Sequence, residues 1–167
     1  LAGVVDALLT MARTTEAIRW RAFDATELAT IAAGPRIEVD TTQLVAAATL
    51  NGDSDLLAVA VANLVDNAAR HGAQRVRVRG TRSGQQQCIE IEDDGPGVSP
   101  DRLALIAAAL ERFEVKGEID PALGLGLTLA ASVARAHKGC LSIQSSPAGR
   151  RGFVARLEWP TAPAQGK

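Results

Sequence analysis

Apolar and polar residues alternate along this chain in two different rhythms, one helical and one extended. The helical segments have apolar side chains at every third or fourth position, with polar residues between them: residues 53–70, 100–110 and 125–136. Asp53 or Ser54 is expected to cap the first of these helices, which should stop at Gly72. The pattern therefore predicts three helices well separated in the chain.

Extended segments lie before, between and after these helices. They are short runs of apolar and β-branched residues bounded by turn residues: 18–23, 36–39, 46–50, 75–81, 87–92, 139–145 and 152–159. Ser83-Gly84 predicts a tight turn in one hairpin, and residues 147–149 predict a turn in another. Tight turns favour a largely antiparallel sheet with the helices on one face, which is an α/β two-layer sandwich.

Four further segments complete the pattern. Asp24 and Glu27 predict a capping box and a short helix to about residue 33. Residues 111–123 are charged and show no clear period. The chain begins at Leu1 with a helical pattern too short and too charged to span a bilayer, so we expect a fragment that lacks an upstream segment. The tail, residues 161–167, is expected to be disordered.

Composition excludes several classes. At 167 residues the chain has the size of one ordinary domain, and a net charge of −1 gives no overall attraction to nucleic acid or anionic lipid. The two cysteines, Cys88 and Cys140, lie in apolar strand-like runs. They are predicted to be small core residues rather than a disulfide or metal ligands.

The first chemical motif is a pair of asparagines one turn apart on the long helix. Asn63, Asn67 and Arg70 fall together beside the apolar stripe. Asparagine is unfavourable inside a helix, so the pair indicates a selected polar face; chance asparagines on a solvated face are the alternative. A carboxamide oxygen suits Mg²⁺, which completes its shell with water and phosphate oxygens. Arg70 is a candidate phosphate partner and His71 a candidate wall beside a nucleotide, although both also suit a helix C-terminus.

The second motif is an acidic residue followed by a glycine turn. Asp93 ends the strand over residues 87–92, and Gly95 and Gly97 allow a sharp turn and close approach to a ligand. A carboxylate at this position can accept a hydrogen bond from an exocyclic amine such as that of adenine. An ordinary Asp-Gly turn is the alternative, but a helix rather than a strand follows this turn.

The third motif is a glycine loop that opens the last helix, Gly124-Leu125-Gly126-Leu127. Backbone N–H groups at a helix start can hold phosphate oxygens. The loop lacks the third glycine of a dinucleotide fingerprint and the Gly-Lys-Ser/Thr of a P-loop. A flexible hinge is the alternative, although the leucines between the glycines are expected to anchor the loop in the core.

In this order the three motifs resemble the N, G1 and G2 boxes of the ATP-binding domain of sensor histidine kinases, in the GHKL superfamily of gyrase B, Hsp90 and MutL. The corresponding segments are residues 63–71, 93–97 and 124–127, with residues 110–113 resembling the phenylalanine box. The resemblance covers residues 24–160 and implies the Bergerat fold: a mixed, mostly antiparallel sheet, helices on one face, and a mobile ATP lid over residues 111–123. It departs from the family at Ala122, where the G2 box usually has glycine, and in its short lid.

The resemblance also implies roles for single residues. Asn67 would be the Mg²⁺ ligand, Asp93 the adenine partner, and Lys116 and Arg112 candidates for steadying the γ-phosphate. Relatives that hydrolyse ATP or phosphorylate serine carry a glutamate general base where this chain has Asn63. A carboxamide cannot take a proton at neutral pH, whereas a neutral imidazole acceptor needs less help. Asn63 therefore favours transfer of the γ-phosphate to histidine over hydrolysis.

The phosphoacceptor itself is not expected in this chain. Neither His71 nor His137 precedes the acidic residue and proline of the family pattern, so no catalytic residue is assigned and the chain alone should not label itself. Residues 1–13 resemble the end of a dimerisation-domain helix. The implied organisation is a helix end and linker over residues 1–23, an ATP-binding kinase domain over 24–160, and a tail over 161–167.

The implied partners are the protein's own dimerisation and histidine domain, in a homodimer, and a response regulator. This domain would lie in the cytoplasm and the full-length protein in the bacterial cell membrane. One alternative is a GHKL ATP-binding module or ATPase without histidine transfer. Another is a nucleic-acid binder that uses Arg75, Arg77 and Arg79, but these alternate on one strand face and are expected to be solvent-exposed instead.

Overall fold

A computed structural model describes residues 18–28, 37–44, 49–147 and 151–161 of the chain. In chain order, the long elements of these ranges are β1 (Arg21–Asp24), β2 (Glu38–Asp40), β3 (Thr49–Gly52), α1 (Ser54–Arg70), β4 (Arg75–Ser83), β5 (Gln86–Asp93), α2 (Pro100–Lys116), α3 (Gly124–Ala136), β6 (Cys140–Ser145) and β7 (Phe153–Pro160). No helix within these ranges is long and apolar enough to cross a membrane.

Five strands form the main sheet in the order β2-β4-β5-β7-β6. β2 runs parallel to β4, and the other neighbours are antiparallel. Val76, Ile89 and Leu157 are buried on the face that carries the helices. The sequence-based prediction of a two-layer sandwich with a mixed, mostly antiparallel sheet is confirmed, since strands joined by short hairpins leave only one face for the helices.

Helix α1 forms as its sequence predicts. The Asp53 side chain accepts a hydrogen bond from the Leu56 N–H and caps the first turn. The apolar stripe that includes Leu57, Val61 and Leu64 is buried, mainly against α3. Because this stripe lies on one side, the neighbouring asparagines remain at the edge of the helix layer.

A separate two-stranded sheet, β1 with β3, joins the main sheet through side chains. The Gln87 amide accepts a hydrogen bond from Asn51 N–H at 2.6 Å and donates one to Asn51 O at 3.0 Å. Trp159 Nε1 donates to the same carbonyl at 2.8 Å. β3 continues through Asn51 and Gly52, where the sequence had predicted its end, because these residues pair with Ala22 and Arg21 of β1.

The capping box predicted at the end of β1 forms in part. The Glu27 carboxylate accepts from Asp24 N–H at 3.2 Å, as the box requires. The Asp24 carboxylate instead accepts from Thr26 N–H at 2.8 Å, an Asx-type turn. Several predicted segments lie outside the described residues: the helix beyond residue 28, the helix end over 1–13, the first three residues of the strand over 46–50, the last two residues of the turn over 147–149, and the tail from residue 162.

Helix α2 is longer than its pattern predicts. It continues from residue 110 to Lys116 and ends at Gly117, whose φ of +73° is the left-handed conformation of a helix C-cap. Phe113 is buried. Burial also raises the pKa of the half-buried Glu114 carboxyl, while the nearby Leu141 N–H on β6 opposes the change. Residues 111–116, predicted as part of a lid without secondary structure, are therefore helical, and the connection to α3 is only residues 117–123.

The sheet face away from the helices carries paired charges. Arg77 is 3.0 Å from Glu92, and Arg79 is 2.8 Å from Glu90 and 3.2 Å from Glu92. Both arginines are half-buried, so the expectation that they are fully solvent-exposed is wrong for them; it holds for Arg75. Cross-strand carboxylates explain why these arginines alternate along β4.

Both cysteines also lie on this outer face. Cys88 and Cys140 each stand directly across from Glu158 in the register of β5, β7 and β6. They are half-buried free thiols, so the prediction that they belong to the core is wrong. Burial nevertheless raises the pKa of Cys88 to about 11, which keeps its thiol protonated at neutral pH.

Candidate functional site

Residues from all three motifs meet at one end of the helix layer, around a cavity of about 100 Å³. Its walls come from α1, the end of β5, the start of α2 and the segment before α3. The side chains that line it are Asn67, Ala68, His71, Asp93, Val98, Arg102, Ile106, Ala122, Leu123, Leu127 and Phe153. Motifs that are far apart in the sequence thus share one concave site.

Asp93 is the acidic group of this cavity. Its Oδ1 accepts hydrogen bonds from Gly95 N–H at 2.8 Å and Phe153 N–H at 3.3 Å, while no described residue bonds its Oδ2. Burial raises the pKa of this carboxyl, although the two N–H bonds oppose the change. One oxygen therefore fixes the orientation of the carboxylate, and the other is left for a ligand.

The turn after Asp93 needs glycine for reasons internal to the protein. A Cβ at Gly95 would stand 2.9 Å from Asp93 Oδ1. Gly97 has a φ of +73°, and its Cβ would stand 3.1 Å from Gly152 O. The neighbouring Asp94 points elsewhere and accepts from the N–H groups of Gln74 and Arg75 at the start of β4, at 2.9 Å each.

The two asparagines of α1 differ in their surroundings. Asn63 Nδ2 donates to Val59 O at 2.9 Å, and Asn63 does not line the cavity. Asn67 lines it, is half-buried, and makes no side-chain hydrogen bond with the described residues. Its carboxamide thus keeps its full hydrogen-bonding and metal-binding capacity.

Three predicted basic residues lie outside the cavity wall and near carboxylates. Arg70 pairs with Asp66 one turn earlier on α1, at 3.0 Å from Nε to Oδ2. Arg112 pairs with Asp120, and Lys116 Nζ lies 3.9 Å from Glu118. A phosphate would have to compete with these carboxylates for each cation.

The glycine loop forms the first turn of α3. Gly124 has a φ of +66° with open space around its Cα, and Leu125 is exposed. Leu127 is buried and lines the cavity, so only the second leucine anchors the loop as expected. No side chain caps this helix, and its first-turn N–H groups lack a side-chain acceptor.

Arg102 is the lining residue that the sequence analysis missed. It lies in the first turn of α2, and its Nη2 donates to Ala122 O at 3.2 Å. One signal was present in the sequence: a basic residue in the first turn of a helix opposes the helix dipole. The apolar wall (Val98, Ile106 and Phe153) carries no sequence signal that separates it from the core.

The chain is similar in sequence to a known family and to several of its described proteins. The family described as "Histidine kinase-, DNA gyrase B-, and HSP90-like ATPase" matches residues 52–163. The signal transduction histidine-protein kinase AfsQ2 of Streptomyces coelicolor is 33% identical over 113 residues, which are 67% of this chain and 21% of that protein. The sensor protein QseC of Escherichia coli O157:H7 is 33% identical over 125 residues, which are 74% of this chain and 26% of that protein. The chain thus spans about a quarter or less of the length of these relatives.

Solved structures agree with the architecture. The ATP binding domain of PrrB from Mycobacterium tuberculosis matches with a TM-score of 0.64 at 28% identity, over 86% of this chain and 98% of that one. The histidine kinase domain of the E. coli osmosensor EnvZ matches with a TM-score of 0.63 at 23% identity, over 91% and 94%. The EnvZ likeness concerns the fold alone, and together the two confirm the predicted fold class.

Proposed function

Because the chain belongs to the histidine kinase-, DNA gyrase B- and HSP90-like ATPase family, we propose that it is the catalytic domain with which a bacterial sensor histidine kinase binds Mg-ATP and transfers the γ-phosphate to a histidine of its dimerisation domain. The phosphoryl group would then pass to a response regulator. One observation carries the proposal: Asp93 Oδ2 and the Asn67 carboxamide share a cavity, and neither is hydrogen-bonded to another residue of the described ranges.

Asp93 supports a preference for adenine. Its Oδ2 can accept a hydrogen bond from the N6 amine, whereas the keto group of guanine would place two acceptors against each other. Because Oδ1 is held by backbone N–H groups, the carboxylate cannot turn away without losing them. Ile106, Val98 and Phe153 supply an apolar wall for the base.

Asn67 fits the magnesium ion that the family implies. Its carboxamide is half-buried, borders the cavity and has no partner among the described side chains. Asn67 would hold the ion together with phosphate oxygens and water, and the ion would supply positive charge against the phosphates. The uncapped N–H groups of α3 would hold further phosphate oxygens.

Asn63 supports transfer rather than hydrolysis. Its amide nitrogen is committed to Val59 O, and its carboxamide oxygen is too weak a base to activate water. Arg70, Arg112 and Lys116 stay proposed phosphate partners; Arg70 and Arg112 would first have to leave Asp66 and Asp120. Slow hydrolysis by the isolated domain is the expected consequence.

Exposed apolar side chains support a partner along α2 and the loop that follows it. The large apolar side chains that are exposed in the described ranges all belong to α2, the following loop or the start of α3: Leu105, Val115, Ile119 and Leu125. We propose that the dimerisation domain docks here, since its histidine must reach the γ-phosphate. The proposed boundaries stay residues 1–23, 24–160 and 161–167, with the domain on the cytoplasmic side of a membrane-bound sensor.

Nucleotide titration tests the adenine contact. Asp93→Ala should weaken Mg-ATP binding by about 1.5–3 kcal/mol, the range for a hydrogen bond to a charged group. Asp94→Asn is the matched control, because Asp94 serves the start of β4 and an asparagine oxygen can still accept from Gln74 and Arg75. Equal affinity for ATP and GTP in calorimetry, or an unaffected Asp93→Ala variant, would contradict the proposal.

Labelling with γ-phosphate separates transfer from mere binding. The isolated domain should remain unlabelled, and addition of a histidine-bearing dimerisation domain of the same protein should give acid-labile label on that domain. Asn67→Ala should abolish this transfer while the fold stays intact, because Asn67 lies beside the buried stripe. Strong self-labelling, brisk phosphate release without the partner, or normal transfer by Asn67→Ala would each contradict the assignment.

A further inference from the structure

One cation reaches the cavity and has no role in the function proposed above. Among the described residues that line the cavity, Arg102 alone carries a fixed positive charge. Its guanidinium makes a single described hydrogen bond, from Nη2 to Ala122 O at 3.2 Å. A guanidinium has five N–H donors, and in this exposed side chain the others are open to water or to a ligand.

The charge of Arg102 also lacks a direct partner. No carboxylate of the described chain lies within ion-pair distance of it, whereas Arg70 and Arg112 are each paired with an aspartate. Asp120 is the nearby acid; it accepts from Ala122 N–H at 2.8 Å and pairs with Arg112. The loop therefore engages its carboxylate elsewhere and offers Arg102 only a neutral carbonyl.

We infer that Arg102 is a nucleotide-contact residue that binds phosphate oxygens of the bound nucleotide and holds the Ala122 carbonyl when no nucleotide is present. This inference rests on the proposed function and adds a phosphate contact from the α2 side of the cavity. The exchange is favourable because charge-assisted, potentially bidentate bonds to phosphate replace one bond to a neutral oxygen.

The exchange would also change the hydrogen bonding of the loop when a nucleotide binds. Ala122 immediately precedes the turn into α3, and its carbonyl loses its Arg102 donor when the guanidinium moves to a phosphate. The loop stays attached to α2 through Asp120 and Arg112. Phosphate binding would thus remove the Arg102 attachment of this loop to α2 and keep the Arg112–Asp120 pair.

The experiment compares two arginines with similar bonds. Arg102 Nη2 donates to Ala122 O at 3.2 Å, and Arg82 Nη1 donates to Thr49 O at 3.3 Å near the end of β4, outside the cavity lining. Binding of ATP, ADP, AMP and adenosine, each with Mg²⁺, is measured by calorimetry on the whole chain. Arg102→Gln should weaken ATP binding about tenfold or more and leave adenosine binding within about twofold. Arg82→Gln should change neither.

The outcomes separate this inference from the proposed function. Failure of the unaltered chain to bind ATP would overturn both. Normal ATP binding by Arg102→Gln, or an equal loss for adenosine and ATP, would overturn only the phosphate contact. Arg102→Lys keeps the charge and should retain most of the difference between ATP and adenosine, which guards against loss of stability in the glutamine variant. In the free protein, faster hydrogen exchange at the Leu123 and Gly124 amides in Arg102→Gln supports the bond to Ala122; unchanged exchange contradicts it.

Discussion

The two ends of the paired helices α1 and α3 differ in whether their polar groups have hydrogen-bond partners within the protein. At the end with Asp53 and His137, which we call the sealed end, His137 is fully buried. Its Nδ1 donates to Val133 O at 2.8 Å and its Nε2 accepts from Asp53 N–H at 3.0 Å, which requires the neutral ring. Trp20 and Trp159 pack edge-on against it, with ring centroids 5.7 and 6.3 Å away.

At the open end, with Asn67, Asp93 and Arg102, polar groups keep capacity that the described protein does not use. The two histidines of the chain show the difference: His71 is exposed at the cavity, and His137 is buried at the sealed end. Burial without a partner is costly, so the sealed end must satisfy each group internally. Unused capacity in a half-buried cavity therefore marks the place where a ligand completes the structure.

The largest effect is expected from removing the sealed histidine. His137→Ala leaves the buried Asp53 N–H without its partner and removes the ring bond to Val133 O, which keeps only the backbone N–H of residue 137. It also opens space between two tryptophans, so stability should fall by about 3 kcal/mol or more. His71→Ala removes an exposed ring and should change stability by no more than about 0.5 kcal/mol. Urea unfolding of both variants measures the contrast, and similar losses would erase the distinction between the two ends.

A pH series tests the sealed end without changing its shape. Burial lowers the pKa of His137, although its bond to Val133 O and the nearby Asp53 carboxylate act in the opposite direction. The unfolded ring titrates near pH 6.5, so below that pH the unfolded chain takes up a proton that the native ring resists. Stability should be full above about pH 6.5 and fall with pH below it, by at most about 1.4 kcal/mol per unit.

His137→Gln is the control for this slope. A glutamine amide can offer one donor and one acceptor but does not titrate, so its unfolding free energy should lose the histidine part of the pH dependence. The comparison uses urea unfolding of both proteins between about pH 5 and 7. Identical slopes would mean that another group dominates acid sensitivity.

At the open end, a smaller change should act on binding. In Gly95→Ala the new Cβ would stand 2.9 Å from Asp93 Oδ1, so the carboxylate must shift and its alignment with a base must suffer. We expect ATP affinity to fall about fivefold, close to 1 kcal/mol, measured by calorimetry. Gly84→Ala, in the β4–β5 turn with nothing within 4 Å, should affect stability but not affinity. Equal affinities for the two variants would remove the link between Gly95 and the carboxylate.

The smallest effect concerns the helix crossing near the cavity. A Cβ at Gly126 would meet Asn63 O at 3.5 Å and Asn67 Cβ at 3.9 Å, which are ordinary contacts. Gly126→Ala should therefore raise stability by about 0.5 kcal/mol, because it restricts the unfolded chain. Gly124→Ala, at a φ of +66°, should lower stability by about 1 kcal/mol instead. Chemical unfolding decides between these signs.

Local information explains what could be predicted from the sequence. The bounds of α1 follow from the Asp53 cap and an apolar period that needs no knowledge of other segments. The last turns of α2 were missed because distant contacts hold them: Phe113 is buried in the core, and the helix packs against β6. Tertiary contacts of this kind override a weak local pattern.

The candidate site shows the same division. Asn67, Asp93 and Leu127, which line the cavity, could be predicted from the sequence because each belongs to a short motif of neighbouring residues. Arg102 was missed because its role depends on Ala122, twenty residues further along the chain. The cysteines were misplaced because the apolar character of their strands outweighed the alternation of each strand. Cys88 shares a face of β5 with Glu90 and Glu92, and Cys140 shares a face of β6 with Ser142 and Gln144, so the period of two assigns both to the outer face.

The orientation of the Asp93 carboxylate also depends on a part of the chain that is synthesised late. Its Oδ1 accepts from Gly95 N–H, two residues away, and from Phe153 N–H, sixty residues later in the chain. A nascent chain that ends before β7 carries all three motif segments but lacks one of the two N–H bonds that orient this carboxylate. Since a ligand stabilises only the state that binds it, ATP in the cell would favour chains whose last strand has docked. Nucleotide affinity would then distinguish finished domains from truncated ones.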